Sequence, residues 1–153
     1  MNKATIRSIG VCGAGTMGSG IAQVCAQAGF QTLLFDLNAE IINQVRRNIT
    51  QQWQRMVDKG KMTGDQQDAA INNLRFTSDI SSCIADLFIE AIVEKPAAKI
   101  GLFNQLDAIN QPDCIFASNT SSLSISQLAA QIKNPARVLG MHFFQPRARN
   151  ETG

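Results

Sequence analysis

The chain has 153 residues, a length that suits one domain with a full hydrophobic core. Apolar residues make up 44% of the sequence and charged residues 17%, which excludes a disordered chain, a collagen-like repeat and a coiled coil. The formal net charge is only +2, so a general electrostatic attraction to nucleic acid or to an anionic membrane is excluded as well.

The four cysteines, Cys12, Cys25, Cys83 and Cys114, form no CxxC pair, and the sequence contains a single histidine, His142. This spacing argues against a zinc site and against a disulfide scaffold. We therefore predict no metal, and we interpret the thiols as small buried groups in a reducing compartment. No segment approaches the roughly 20 apolar residues of a membrane span, so the prediction is a cytoplasmic protein with neither membrane nor nucleic acid as partner.

Apolar runs and amphipathic periodicities alternate along the chain. Buried strands are predicted at residues 6–12, 32–35, 87–93, 114–118 and 138–144, and helices at residues 16–28, 41–57, 65–74, 97–109 and 125–132. The helices at 41–57 and 65–74 are separated by Gly60 and Gly64 and form a helical hairpin. Strands that alternate with helices indicate right-handed crossovers, so the predicted fold class is α/β, a doubly wound parallel sheet with the hairpin inserted after strand two.

A glycine-rich motif of the form GxGxxG lies between the first predicted strand and the first predicted helix. Its six residues are Gly13, Ala14, Gly15, Thr16, Met17 and Gly18. The first glycine permits a tight turn, the second lets a pyrophosphate approach the backbone, and the third allows the helix to pack closely on the strand. The free amides and the positive dipole end of the helix would then face the phosphates. The alternative interpretation is a glycine-rich turn that binds no ligand.

Asp36 stands at the end of the second predicted strand, eighteen residues after Gly18. A carboxylate at this place accepts hydrogen bonds from both hydroxyls of an adenosine ribose, and it would repel the additional phosphate of NADP. The glycine motif and the acid together predict NAD as the cofactor.

Basic side chains are concentrated on the predicted hairpin, with Asp58 the only acid among them. They are Arg46, Arg47, Arg55, Lys59 and Lys61. Such a run is either a solvated helix face or an anion site for a phosphorylated substrate carrier. Glu90 and Glu94 lie four residues apart at the end of a predicted strand, where they need not share a face, so a metal-binding pair is not favoured.

Polar residues close the strand predicted at 114–118. They are Ser118, Asn119, Thr120, Ser121 and Ser122, at the edge where doubly wound folds bind ligands, although such residues equally suit a polar turn or a helix cap. His142 lies between apolar residues on the last predicted strand. A histidine in such surroundings is commonly a satisfied core residue, but its place at the same edge favours a catalytic base, since hydride removal from an alcohol needs a base nearby.

Taken in order, these motifs resemble those of the NAD-dependent L-3-hydroxyacyl-CoA dehydrogenases, a family that includes 3-hydroxybutyryl-CoA and 3-hydroxyadipyl-CoA dehydrogenases. The resemblance is carried by GAGTMGSGIAQV, by FD at the end of strand two, and by IEAIVEK, FASNTSSLSI and GMHFFQP. It covers nearly the whole chain. It implies a Rossmann-like fold and the NAD-dependent oxidation of an L-3-hydroxyacyl-CoA to a 3-ketoacyl-CoA, in the degradation of fatty or aromatic acids.

The resemblance also implies roles for individual residues. Contacts to NAD fall on Gly13, Ala14, Gly15, Thr16, Met17, Gly18, Asp36, Glu94, Lys99, Asn119 and Ser121. His142 would be the catalytic base, and Ser121 would hydrogen-bond the reacting oxygen. Lys59 and Ser121 would contact the CoA substrate, while Gln52 replaces the serine that usually makes a second CoA contact.

The sequence departs from the family pattern in two places. Gln145 replaces the asparagine of the usual HFFNP motif, and the sequence ends before the glutamate and the helical domain that follow this motif in the family. We therefore expect an NAD-binding domain at residues 1–146, an unmatched tail at 147–153 and no C-terminal helical substrate and dimerisation domain. The expected partners are an acyl-CoA and either a second copy of the chain or a separate chain that supplies the helical half.

Two other functions stay open. A cofactor-binding module without turnover of its own would suit a chain in which half of the active site is absent. A hydroxyacid dehydrogenase of the 6-phosphogluconate type shares the GxGxMG opening, but it would not be expected to carry SNTSS followed by HFF.

Overall fold

The computed structural model describes residues 5–119, 125–133 and 135–141. Its strands are β1 (Ser8–Cys12), β2 (Gln31–Phe35), β3 (Leu74–Thr77), β4 (Leu87–Glu90), β5 (Ile115–Ser118) and β6 (Val138–Gly140). Its α-helices are α1 (Thr16–Gln27), α2 (Ala39–Asp58), α3 (Gly64–Asn72), α4 (Pro96–Ile109) and α5 (Ile125–Ala129), with short 3₁₀ turns at Ile80–Ser82 and Pro135–Arg137.

All six strands belong to one parallel sheet in the order β3-β2-β1-β4-β5-β6. The chain builds outward from β1 to β3, returns to the other side of β1, and builds outward again from β4 to β6. This is the doubly wound Rossmann-type order, and it confirms the predicted α/β fold with a doubly wound parallel sheet. The switch between the two directions falls at β1 and β4, where open sheets of this type bind ligands.

The two faces of the sheet are covered by different parts of the chain, because successive side chains of a strand point to opposite faces. Val11 and Leu34 pack with Trp53 in a core that includes helices α1, α2 and α3. Cys12 and Phe88 belong to a second core on α4, in which the rings of Phe103 and Phe116 lie 5.3 Å apart. Because both faces are buried, the strands have nearly continuous apolar sequences.

Two helices, α2 and α3, occupy the connection between β2 and β3. Asn38 caps the start of α2 through its side-chain oxygen, and Thr63 begins α3 in a capping box with Gln66. The side chains of Gln54 and Gln67 are joined by a hydrogen bond of 3.1 Å between the two helices.

Several predicted element bounds differ from those in the structure, among them the following. The helix predicted to run to Leu74 ends at Asn72, and residues 74–77 form the edge strand β3, which periodicity does not reveal in only four residues. The strand predicted at 87–93 ends at Glu90. The helix predicted at 125–132 ends at Ala129. Of the strand predicted at 138–144, β6 spans Val138–Gly140, and residues 142–144 lie outside the described residues.

Candidate functional site

The glycine motif forms the turn between β1 and α1 at the carboxyl edge of the sheet. Gly13 has φ of +106°, a conformation that favours glycine, and its amide donates to the carbonyl of Phe35 at 2.8 Å. A side chain on Gly18 would collide with the carbonyl oxygen of Gly13. A side chain on Gly15 would meet no atom of the protein within 4 Å. The first and third glycines are thus required by packing, whereas the second borders open space.

The start of α1 is left free for an anion. Within the described part of the chain, no side chain caps α1, whereas α2 is capped by Asn38 and α3 by Thr63. The first amides of an α-helix lack partners inside the helix and carry the positive end of its dipole. Together with the open space at Gly15, these amides fit the pyrophosphate of a dinucleotide.

Asp36 holds the glycine loop from the neighbouring strand. Its Oδ2 accepts a hydrogen bond of 3.0 Å from the amide of Ala14, and its Oδ1 accepts one of 2.9 Å from the amide of Asn38. The carboxylate is half-buried, and the side chain of Leu37 beside it is 82% exposed. The acid predicted to bind a ribose therefore lies against the loop predicted to bind the phosphates.

A buried charge cluster lies at the carboxyl ends of β4 and β5. Glu90 and Lys99 have fully buried side chains, and the ammonium of Lys99 lies 2.7 and 2.8 Å from the two carboxylate oxygens of Glu90. The same ammonium lies 2.9 Å from Oε1 of Glu94, whose side chain is 44% exposed. An ammonium has three hydrogens, and here each can be donated to a different carboxylate oxygen.

Glu90 also binds groups from other elements. The hydroxyl of Ser118, at the end of β5, donates to Oε1 of Glu90 at 2.6 Å, and the amide of Ile92 donates to Oε2 at 2.8 Å. The backbone carbonyl of Glu90 accepts from the amide of Asn119 at 2.9 Å. Buried charges are tolerated when they are paired and hydrogen-bonded in this way.

The last described strand is tied to the same edge. The amide of Met141 donates to the carbonyl of Ser118 at 3.1 Å. The structure thus brings the glycine motif, Asp36, Glu94, Lys99 and Asn119 to the carboxyl edge of one sheet. The predicted catalytic residues, Ser121 and His142, lie outside the described residues, although the segments that lead to them end at this edge.

The predicted CoA contact lies on a different element. Lys59 is the C-terminal cap residue of α2 and is exposed, and its backbone amide donates to the carbonyl of Arg55. Gln52 is also exposed, on the same helix.

Sequence analysis missed the importance of Glu90 and Ser118. From the sequence, Glu90 is interpreted only as half of a disfavoured metal pair, and Ser118 as part of a polar segment that either lies at the ligand-binding edge or forms a turn. The signal that marks Glu90 is a carboxylate inside the apolar run LFIEAIV, because an ionised group in a buried strand requires a partner. The partner, Lys99, lies nine residues later on α4, and only the tertiary fold brings the two together.

All four thiols are free and buried, as the sequence predicted. Burial, together with the nearby Cys83 and Glu90, raises the pKa of the Cys12 thiol well above its ordinary value. In the described ranges, no group of three or more His, Cys, Asp and Glu side chains could hold a metal ion, and no helix is long and apolar enough to cross a membrane.

Comparisons with known proteins identify the relatives of this chain. It is 44% identical over 144 residues to a 3-hydroxybutyryl-CoA dehydrogenase of Mycobacterium tuberculosis, an alignment that covers 92% of this chain and 50% of the relative. It is 41% identical over 142 residues to the 3-hydroxyadipyl-CoA dehydrogenase of Escherichia coli, with 92% and 30% covered. The chain therefore spans half or less of the length of these curated relatives.

Solved structures agree with the sequence matches. The crystal structure of M. tuberculosis FadB2 superposes with a TM-score of 0.85 at 44% identity, covering 93% of this chain and 50% of that one. That of the 3-hydroxybutyryl-CoA dehydrogenase from E. coli K12 gives 0.89 at 40% identity, covering 93% and 30%. The family model described as the NAD binding domain of 3-hydroxyacyl-CoA dehydrogenase matches residues 8–149. With that match over most of its length, the chain belongs to the family of NAD-binding domains of 3-hydroxyacyl-CoA dehydrogenases.

Proposed function

We propose that this chain is the cofactor-binding part of an enzyme that oxidises L-3-hydroxyacyl-CoA to 3-ketoacyl-CoA with NAD. The observation that carries the proposal is the hydrogen bond between Asp36 and the amide of Ala14, which joins the ribose-binding acid to the phosphate-binding loop. The domain would comprise residues 1–146, with residues 147–153 outside it.

In this proposal the cofactor lies across the carboxyl edge of the sheet. Asp36, at the end of β2, accepts the hydroxyls of the adenosine ribose, and the free amides at the start of α1 bind the pyrophosphate beside Gly15. The nicotinamide half then lies on the other side of β1, where Glu94, Lys99 and Asn119 are found. Leu37, which follows β2 beside Asp36, has an exposed apolar side chain that suits the flat adenine base.

The proposed chemistry requires a base beside the substrate alcohol. NAD, when bound, accepts the hydride from the carbon that carries the 3-hydroxyl. His142 takes the proton of that hydroxyl, and Ser121 donates a hydrogen bond to the reacting oxygen. The described segments that precede them in the chain end at Asn119 and Met141, whose amides donate to the carbonyls of Glu90 and Ser118 at the carboxyl edge of the sheet.

The substrate is proposed to be an acyl-CoA whose phosphates are bound by Lys59 on α2. Exposed cationic side chains on that helix, with Arg47 and Arg55 among them, favour an anionic carrier. We place the enzyme in the cytoplasm, acting on fatty or aromatic acid degradation products. Its partner would be a second copy of the chain or a chain that supplies a helical domain.

One observation favours a second candidate, an NAD-binding module without turnover. The chain spans only half of the M. tuberculosis relative and 30% of the E. coli relative. Turnover of acetoacetyl-CoA with NADH separates the two candidates. If the protein binds NADH but produces no hydroxyacyl-CoA even at high enzyme concentration, the candidate without turnover is the correct one.

Cofactor preference tests the site itself. We expect NADH to bind at least tenfold more tightly than NADPH in calorimetric titration, because the carboxylate of Asp36 repels the additional phosphate. Asp36→Ala should weaken NADH binding and reduce the ratio of the NADPH Kd to the NADH Kd. Asp68 is an exposed acid on α3, and Asp68→Ala should change neither the NADH affinity nor this ratio. Equal affinity of the unmodified protein for both nucleotides would contradict the proposal.

A further inference from the structure

We propose that Glu90 is the positioning residue of the nicotinamide half of the site, an inference that rests on the proposed function. It touches neither the cofactor nor the substrate. It acts by holding Lys99, and through Lys99 the carboxylate of Glu94, in place at the carboxyl edge of the sheet.

The first step of the argument is how completely Glu90 is engaged. Its side chain is fully buried, and its two carboxylate oxygens accept from the Lys99 ammonium, the Ser118 hydroxyl and the Ile92 amide at 2.6 to 2.8 Å. These groups come from α4, from the end of β5 and from the loop after β4. A single carboxylate therefore fixes three segments relative to one another.

The second step is the state of Lys99. Its ammonium is surrounded by both oxygens of Glu90 and by Oε1 of Glu94, so its three hydrogens are all used and its side chain has no exposed surface. Glu94, by contrast, is 44% exposed at the edge where the cofactor is proposed to lie. Glu94 is thus the residue that can hydrogen-bond a ribose hydroxyl, and Lys99 holds the Glu94 carboxylate from its buried side.

The third step is the place of the cluster along the cofactor. Phe35 of β2, Cys12 of β1 and Glu90 of β4 are in register on adjacent strands. Two strand spacings of about 4.8 Å separate the Asp36 side of the edge from the Glu90 side, roughly 10 Å in all. The cluster therefore supports the nicotinamide side, and the adenosine side depends on Asp36 and the glycine loop.

This separation gives a test that distinguishes positioning from general stability. NADH spans both sides of the edge, whereas ADP lacks the nicotinamide riboside and reaches only the adenosine and pyrophosphate sites. Glu90→Gln should raise the Kd for NADH at least tenfold and leave the Kd for ADP within twofold. Ser118→Ala, which removes one bond to Glu90 and no charge, should raise the Kd for NADH about threefold.

A matched control and a double variant complete the experiment. Asp86→Asn alters a carboxylate just before β4 that accepts from the amides of Arg7 and Ser8 at the opposite edge; it should lower Tm and leave both nucleotide affinities unchanged. Glu90→Gln combined with Lys99→Met removes both fully buried charges, which should recover much of the lost Tm but not the NADH affinity.

Coupling to Glu94 provides the last readout. As a single substitution, Glu94→Gln should weaken NADH binding. In the Glu90→Gln background it should have little further effect, because both changes remove the same contact, that of the Glu94 carboxylate with the nicotinamide ribose. Three results would overturn the proposal. In Glu90→Gln they are an equal loss of NADH and ADP affinity or an unchanged NADH affinity. In the double variant, it is a loss of NADH affinity equal to the sum of the losses from Glu90→Gln and Glu94→Gln. An unmodified protein that binds neither nucleotide would instead contradict the proposed function.

Discussion

At the scale of single residues, the three glycines of the GxGxxG motif differ in what a side chain would meet. A side chain on Gly18 would overlap the carbonyl oxygen of Gly13, so the helix and the loop could approach each other only after a backbone shift. Gly15 has φ of −71° and ψ of −171°, an extended conformation that alanine adopts without strain. Only at Gly15 can the effect of a side chain on the ligand be separated from its effect on the fold.

We expect Gly15→Ala to fold normally and to bind NADH at least tenfold more weakly, because its methyl group occupies the space proposed for the pyrophosphate. Gly18→Ala should instead lose several kcal/mol of stability, the order of cost for a buried steric clash, and lose NADH binding as well. Urea unfolding and NADH titration measure the two effects. Gly20→Ala, with no atom near its new methyl group, is the control and should stabilise α1 by about 1 kcal/mol. Tight NADH binding by Gly15→Ala would contradict the proposed path of the pyrophosphate.

Residues with a chemical signature could be predicted from the sequence, and those defined by a tertiary contact could not. The glycine motif and Asp36 do lie together, because a strand, a turn and a helix in succession bring the loop to the end of the neighbouring strand. Glu90 was missed because its importance depends on Lys99 and Ser118, which lie on separate elements.

At the scale of secondary-structure elements, α2 is attached to the sheet by one large side chain. Trp53 is 1% exposed and lies in the core with Ile49 and Leu74, yet its indole Nε1 has no hydrogen-bond partner among the described residues. An unpaired buried donor reduces the stability that the ring provides.

Substitutions at Trp53 should therefore have unequal effects. Trp53→Ala should cost about 3 to 5 kcal/mol in free energy of unfolding, since a large cavity is left. Trp53→Phe should cost much less, because it keeps most of the ring and removes the unpaired N–H. Urea unfolding followed by circular dichroism gives both values, and Gln51→Ala on the exposed side of α2 is the control. Equal losses in the two Trp53 variants would show that the indole nitrogen is satisfied in solution.

The long elements were predictable because their periodicity extends over several turns. Helix α2, with 20 residues, shows its apolar stripe clearly, whereas β3 has only Leu74 and Phe76 as alternating apolar positions. A four-residue edge strand is specified mainly by its pairing with β2, which is information that lies outside its own sequence.

At the scale of the whole molecule, the buried thiols make the fold sensitive to alkali. Burial, assisted by the charge of Asp79, raises the pKa of Cys83 to about 12, and burial raises that of Cys114 to about 12 as well. The unfolded chain ionises these thiols near their ordinary pKa of 9.0. The stability that these two protonated thiols contribute is therefore complete below about pH 9 and is lost as the pH rises from there towards 12.

We expect the urea midpoint to be constant between pH 7 and 8 and to fall steadily above pH 9. The double variant Cys83→Ala, Cys114→Ala should show a shallower decline of the urea midpoint, because it lacks two of the thiols whose pKa is higher in the folded than in the unfolded state. The sequence contains no tyrosine, so phenol ionisation does not contribute. An identical pH dependence in the double variant would show that other groups govern the alkaline loss.

The overall topology was predictable from alternation alone, because helices between strands lead to parallel pairing with right-handed crossovers. The edge position of β3 could not be derived, since that strand was not recognised. Parallel pairing alone was nevertheless enough to predict that the glycine loop and the polar end of β5 lie at one edge of the sheet, as the structure shows.

The proposed ribose contact of Asp36 and its hydrogen bond to Ala14 together have a consequence for anyone who wishes to redesign this protein to accept NADP. The residue whose charge would be exchanged is the same one that receives the Ala14 amide and holds the turn after β1. Replacing it by a small or basic side chain would leave that amide without its acceptor and loosen the loop that is proposed to bind the pyrophosphate of either nucleotide. A switch in nucleotide preference therefore needs two changes made together, one that accommodates the extra phosphate and one that supplies a new acceptor for the Ala14 amide.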